Sequence, residues 1–152
     1  MILHALVSAA HFIAAFALVA ALVAEWAMLR GSVDGPVIER LLRADLIYGL
    51  SAIAVLAFGL CRVFFFDKPV TYYLHSVPFW VKLALFAIIG LLSIMPTFAF
   101  FRARTAVRGD SNYTIPADMV SMLRRRVAVE LCLLVALVIS ASLMAKGVGL
   151  LA

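Results

Sequence analysis

The sequence predicts an all-α fold, an integral membrane four-helix bundle with both termini on the periplasmic side. Hydrophobic residues make up 66% of the 152 residues and the mean hydropathy is +1.14, whereas soluble globular chains are about 45–50% apolar. The apolar residues fall into four runs, each able to cross a hydrocarbon core that needs about 20 helical residues. Basic residues are concentrated on every second connection between the runs, and this asymmetry predicts the orientation of the bundle in the membrane.

The four runs predict spans at 2–29, 36–66, 78–106 and 116–146, in a single transmembrane domain over 1–152. The first run is too long for the apolar region of a signal peptide and lacks a basic start, so we expect it to be retained. Asp34 or Gly35 is placed to cap the second span ahead of Pro36. Each span is therefore expected to be a helix of membrane length.

The later connections carry helix breakers and turn residues. Asp67, Pro69 and Pro78 interrupt the chain after the second span, where aromatic residues cluster as they do at a membrane interface. Thr114 is placed to cap the fourth span, with Pro116 in its first turn. The cysteines, Cys61 and Cys132, lie in different spans, and we expect them to be unpaired and buried.

Basic residues are concentrated on the first and third connections, and the positive-inside rule places both in the cytoplasm. Lys68 and Lys146, with Arg62 and Lys82 near the interface, lie on the opposite side. The expected location is the bacterial inner membrane, with lipid as a partner. The sequence leaves open a homo-oligomer or a larger membrane complex. Nucleic acid is not expected, because the basic residues flank spans instead of lining a groove: they are Arg30, Arg40, Arg43, Arg102, Arg104, Arg108, Arg124, Arg125 and Arg126.

The first span carries His4, His11 and Glu25 at multiples of seven residues, so they share one helix face. Ionisable groups in a membrane helix are costly and are functional candidates. Imidazole is an axial ligand of haem iron, and helix bundles hold cofactors between inward-facing side chains. The outer half of the bundle is therefore a candidate haem site, although such histidines also often only hydrogen-bond to a neighbouring helix or to water.

The spacing limits the ligand pairs of such a site. His4 and His11 lie about 10 Å apart along the helix axis, too far to bind one iron from both faces. A site with two histidine ligands would pair one of them with His75. Otherwise His11 is the single ligand, and Lys82 or Arg62 neutralises a haem propionate. His11 and His75 are thus the candidate metal ligands, and all five residues are candidate cofactor contacts.

The inner half of the bundle collects three carboxylates and several arginines. Such groups near helix ends usually form an ion-pair cluster that fixes the register of the helices. The alternative is a proton path from this cluster along the first span to His11, across about 21 Å of apolar helix. The predicted cluster consists of Glu25, Asp45 and Glu130 with Arg30, Arg43 and Arg126.

Four stretches carry a resemblance to a known family. They resemble a bacterial family of predicted membrane proteins, domain of unknown function twenty-two fourteen. That resemblance covers nearly the whole chain and implies a four-helix topology without an assigned activity. The stretches are ILHALVSAAHFIAAF, ERLLRADLIYGLSAIAVLAFGLCRVFFF, YYLHSVPFWVKLALFAIIGLLSIMPT and RRRVAVELCLLVALVISASLMAKG.

A more remote resemblance is to the HemJ-type protoporphyrinogen oxidases, small helical membrane proteins of haem biosynthesis. In that family a first-helix His and a third-helix Lys are functionally required, and a b-type haem is bound. The chain lacks the Trp and the Tyr-His-rich end of the HemJ first helix. The resemblance therefore implies the architecture and the pair of His11 with Lys82, and not the oxidase activity. The matching residues are His11 or His4, Arg40 to Arg43, Trp80, Lys82, Leu83, Arg126, Glu130 and Lys146.

The function that these observations favour is binding of haem b or another porphyrin, with His11 as the first ligand and His75 or His4 as the second. If the protein is an enzyme, it is expected to be an oxidoreductase of porphyrin or electron-transfer type. A cofactor-free accessory subunit of a larger membrane complex is the main alternative. A small proton-coupled transporter is the other, and the lack of inverted repeats counts against it.

Overall fold

Each apolar run forms one long helix in the computed structural model, which describes residues 1–66 and 69–149. These four helices are long and apolar enough to cross a membrane, and the described residues form no strand. The predicted all-α membrane fold is therefore confirmed. The helices are α1 (Ile2–Met28), α2 (Gly35–Cys61), the short α3 (Val70–Leu74), α4 (Val77–Gly109) and α5 (Ala117–Ala145).

The helix starts differ in how they are capped. Asp34 caps α2 as expected, because its Oδ1 accepts the Val37 N–H at 3.2 Å and Pro36 occupies the first turn. The expected cap at Thr114 is wrong. The residue before α5 is Pro116, and no side chain caps this helix. The neighbouring Ile115 is buried, and its N–H donates to the Val33 carbonyl at 3.0 Å, so this hydrogen bond joins connection 29–34 to connection 110–116.

The region after α2 is more structured than a simple connection. Residues Arg62–Phe66 continue α2 as a π-helix, a widened turn that often occurs at functional sites. The helix α3 follows and docks on the end of α5, because the Tyr72 hydroxyl donates to the Met144 carbonyl at 3.0 Å. Asp67 and Lys68, which entered the predicted helix break and orientation, lie outside the described residues.

The long helices pack as antiparallel neighbours. α1 lies along α2 and α4 along α5, while contacts of α2 with α4 and of α1 with α5 close the bundle. We call the end with connections 29–34 and 110–116 the arginine-rich end, and the end with both chain termini the terminal end. The outward surface is apolar, as lipid contact requires. It includes Cys132, which is exposed instead of buried as predicted; Cys61 is half-buried.

Candidate functional site

His11 lies between α1 and α2 in the half of the bundle nearer the terminal end. Its ring Nδ1 is 3.1 Å from the Val55 carbonyl oxygen of α2. A carbonyl oxygen only accepts hydrogen bonds, so Nδ1 carries the proton in the neutral ring. The lone pair is then on Nε2, and this arrangement is the one that usually orients a metal-binding histidine.

Gly59 provides the space for the His11 ring. A Cβ atom added at Gly59 would lie 3.3 Å from His11 Cε1, which is tighter than most real contacts, and 3.6 Å from Nδ1. Small residues allow membrane helices to approach closely. Here the space that a larger side chain at Gly59 would fill is occupied by the His11 imidazole. The position of His11 therefore depends on α2 through both the Val55 carbonyl and Gly59.

A cavity of about 390 Å³ opens beside His11 and is lined by all four long helices. Its volume is within the usual range for small-molecule sites. Among the described residues that line it, only His11 and Lys82 carry ionisable side chains. The other lining residues are apolar, and Phe16 and Val138 are also exposed on the outward surface. We call this space the His11 cavity. It is an apolar cavity with one imidazole and one ammonium group, reached from the lipid side.

The remaining candidate cofactor contacts do not line the His11 cavity. His75 is exposed after α3, and its Nδ1 lies 2.8 Å from the Thr71 carbonyl oxygen. His4 stacks on Phe66 in the π-helical turn, with ring centroids 5.8 Å apart. The structure thus brings His11 and Lys82 together but does not bring His4 or His75 to the same cavity.

Arg62 lies near the edge of the cavity. Its Cζ is 5.8 Å from the ring centroid of Phe12, and Phe12 lines the cavity. The first turn of the π-helix, which begins at Arg62, therefore places a guanidinium group close to the opening without making it part of the wall. The sequence did not predict the π-helical turn that places Arg62 near Phe12.

The predicted inner cluster separates into two layers. Glu25, Asp45 and Glu130 are buried, and within the described chain none of them forms an ion pair with Arg30, Arg43 or Arg126. Long arginine side chains can extend toward water while short carboxylate side chains stay between helices. The inner half of the bundle therefore holds carboxyl groups without the arginines that the sequence paired with them.

The arginine side chains find other partners at the arginine-rich end. Arg30 stacks over Trp26, with its Cζ 3.9 Å from the ring centroid, and Arg124 approaches the same ring at 5.4 Å. Arg104 pairs with Glu39 at 2.9 Å near the surface. These contacts keep the guanidinium groups at the edge of the bundle, where cation–π contacts and water stabilise them.

Two hydroxyl groups that the sequence did not predict as site residues contact the buried carboxyls. Thr97 of α4 donates to Asp45 Oδ1 at 2.7 Å, and Tyr48 of α2 donates to Glu130 Oε2 at a long 3.4 Å. Tyr48 could have been found, because it lies three residues after Asp45 on the same helix face. Thr97 could not, because nothing in the sequence indicates which residue of α4 faces α2.

The fold and these two sites define a class, a polytopic helical membrane protein with ionisable groups placed inside its bundle. The chain matches the family described as "Predicted membrane protein (DUF2214)" over residues 3–149. It therefore belongs to that family, as the resemblance implied. No curated protein matches the chain, and no solved structure matches it.

Proposed function

We propose that this protein binds haem or another porphyrin in the His11 cavity. The observation that carries the proposal is the convergence of His11 and Lys82 on one apolar cavity that opens toward lipid. Haem b is the cofactor that we favour, because its iron accepts an imidazole nitrogen. The proposed ligand atom is Nε2 of His11, since Nδ1 faces the Val55 carbonyl.

The lining of the cavity suits the chemistry of a porphyrin. A porphyrin is a flat apolar ring that carries carboxylate groups, so it needs an apolar slot with a cation at one edge. Phe12, Phe79 and Phe86 supply apolar walls, and Lys82 supplies the cation. Arg62, beside Phe12, is the proposed partner of a second carboxylate. An apolar ligand of this kind would enter from the membrane through the lipid-facing opening.

A bound haem would supply one-electron chemistry, and the chain's own residues would hold and shield it. The role of His11 is to ligate, Val55 orients the imidazole, and the apolar walls exclude water. We favour a single histidine ligand, because His75 and His4 do not line the cavity; either would need to move to become a second ligand. The proposed location is the bacterial inner membrane, with the arginine-rich end in the cytoplasm.

An absorption spectrum of the purified protein tests this proposal. The protein would be purified in mild detergent from haem-replete cells, together with His11→Ala and the control His75→Ala. We expect a Soret band in the wild type and in His75→Ala, and its loss in His11→Ala. A colourless wild-type protein would contradict the proposal. Stable co-purification of that colourless protein with larger membrane proteins would favour an accessory subunit.

A further inference from the structure

Three buried carboxyl groups in the half of the bundle nearer the arginine-rich end have no role in the proposed porphyrin site. Glu25 of α1, Asp45 of α2 and Glu130 of α5 are 2%, 9% and 0% exposed. Glu25 is close enough to both of the others to interact electrostatically, as Glu130 is to Asp45. We call these three residues the carboxyl triad.

The triad has hydrogen-bonding capacity that the described chain does not use. Glu25 makes no hydrogen bond with any described residue, and its Oε1 is fully buried. Glu130 Oε1 is also buried without a partner, while its Oε2 has only the long contact with Tyr48. Buried polar atoms are nearly always satisfied in folded proteins. An unpartnered, buried Glu25 that faces two other carboxyls therefore indicates a small ligand between them.

The charge of the triad identifies that ligand as a cation. The charged or titratable groups that face the triad from the surrounding helices are Tyr48 on α2 and Arg126 on α5. Arg126 lies one turn before Glu130 and forms no ion pair with it. Three negative charges in a water-poor interior, faced by one guanidinium group that pairs with none of them, would repel one another strongly. Positive charge must therefore enter the site itself.

A proton satisfies this requirement better than a metal ion. The described residues contain no group of three or more His, Cys, Asp or Glu side chains arranged to hold a metal. A proton needs only two neighbouring carboxyl oxygens, one as donor and one as acceptor. Glu25 and Glu130 each have a buried carboxyl oxygen that no described residue hydrogen-bonds.

We propose that the carboxyl triad is a proton-binding site, in which Glu25, Asp45 and Glu130 hold and exchange at least one proton inside the membrane-spanning bundle. The site goes beyond the porphyrin proposal and does not require a porphyrin. Intramembrane carboxyl groups of this kind are typical of proton relays.

The residues around the triad determine the side of the bundle toward which protons can exchange. One turn toward the arginine-rich end, fully buried apolar side chains lie on α2, α4 and α5 and on the residue that follows α1, and this layer separates the triad from water there. Toward the terminal end, the polar face of α2 continues from Tyr48 through Ser51, which is buried, to the Val55 carbonyl that holds His11. Proton exchange is therefore directed toward the His11 cavity. The apolar layer consists of Leu29, Leu41, Phe100 and Val127.

Infrared spectroscopy of the full-length protein reconstituted in phosphatidylcholine vesicles tests this site. At neutral pH we expect the C=O stretching band of a protonated carboxyl, and a shift of that band to lower frequency after transfer to D₂O. The band should be lost when Glu25→Gln, Asp45→Asn and Glu130→Gln are combined. Glu39→Gln, which removes a surface carboxyl, is the matched control and should keep the band.

Two results would overturn the proposal. Absence of the band in wild-type protein, in both sodium and choline buffers, would mean that the triad holds no proton. A band that appears only when sodium is removed would assign the site to a metal cation instead. Both results come from the wild-type protein, so a variant that fails to fold does not affect them. Neither depends on whether the purified protein is coloured, which separates this test from the porphyrin test.

Discussion

At the scale of single residues, the environment of His11 carries the proposed function. The imidazole lies beside a carbonyl acceptor on one side and a glycine on the other, and it faces the same cavity as Lys82. A metal-binding histidine depends on the partner that fixes its ring orientation. The cofactor affinity should therefore be sensitive to small changes at α2, even though the proposed ligand belongs to α1.

Gly59→Ala should weaken haem binding without removing a ligand. The new Cβ would lie 3.3 Å from His11 Cε1, so the ring must shift by a few tenths of an ångström from the Val55 carbonyl. Losing much of that hydrogen bond costs about 1 kcal/mol, which corresponds to about a fivefold loss of affinity. Haem titration followed by absorbance would measure this change.

Gly49→Ala is the matched control for Gly59→Ala. Gly49 lies on the same helix, but an added Cβ there meets no atom within 4 Å. Its haem affinity should stay at the wild-type value, while its stability rises slightly because alanine favours a helix over glycine. Equal haem affinities for the Gly59 and Gly49 variants would show that the packing around His11 does not control binding.

At the scale of helices, the pairing of α4 with α5 supports the wall of the His11 cavity. Both helices contribute lining residues, Lys82 from α4 and Val138 from α5. Near the terminal end, buried Ser140 donates from its Oγ to the Pro78 carbonyl at 2.8 Å. This hydrogen bond joins the first turn of α4 to α5 and helps to fix their relative position.

Ser140→Ala should destabilise the bundle by about 1 kcal/mol, the usual net contribution of one hydrogen bond. Ser142→Ala is the control, because Ser142 is exposed on the same helix and its removal should leave stability within about 0.5 kcal/mol of wild type. Thermal unfolding in detergent, followed by circular dichroism, compares the two. Identical transitions for both variants would mean that the α4–α5 contact needs no polar anchor.

The helices themselves were largely predictable, and the side chains that meet between them were not. Each membrane-length apolar run, and the Asp34 cap, can be predicted from its own stretch of sequence, because these features depend on local composition. Which arginine pairs with which carboxyl depends on how each helix is rotated about its own axis. The sequence of one helix does not determine that rotation, because it is set by packing against the other helices. The ion-pair expectation for Arg126 and Glu130 arose because both lie near the same end of a span, whereas in the structure Glu130 is buried and the half-buried Arg126 forms no ion pair with it.

At the scale of the whole molecule, two sets of ionisable groups occupy opposite halves of one bundle. The His11 cavity lies nearer the terminal end and opens toward lipid, while the carboxyl triad lies nearer the arginine-rich end behind an apolar layer. His11 is fourteen residues before Glu25 on α1, which is about 21 Å of helix. If the arginine-rich end is cytoplasmic, the proposed cofactor lies in the periplasmic half of the membrane.

Sidedness labelling tests that orientation. In a background with Cys61 and Cys132 replaced by serine, Val148→Cys reports on the terminal end and Ser111→Cys on the arginine-rich end; both positions are exposed. A membrane-impermeant maleimide added to intact spheroplasts should label Val148→Cys at once. It should label Ser111→Cys only after lysis, because connections flanked by arginines stay in the cytoplasm. The opposite pattern would place the His11 cavity in the cytoplasmic half.

An equilibrium haem titration of the purified protein tests the proposal that His11 holds a porphyrin in an apolar cavity. The wild type should bind one haem per chain with a saturable Soret change. His11→Ala should bind at least about tenfold more weakly, a loss of about 1.4 kcal/mol, while His75→Ala should bind as the wild type does. Unchanged affinity in His11→Ala, or no saturable binding by the wild type, would contradict the claim.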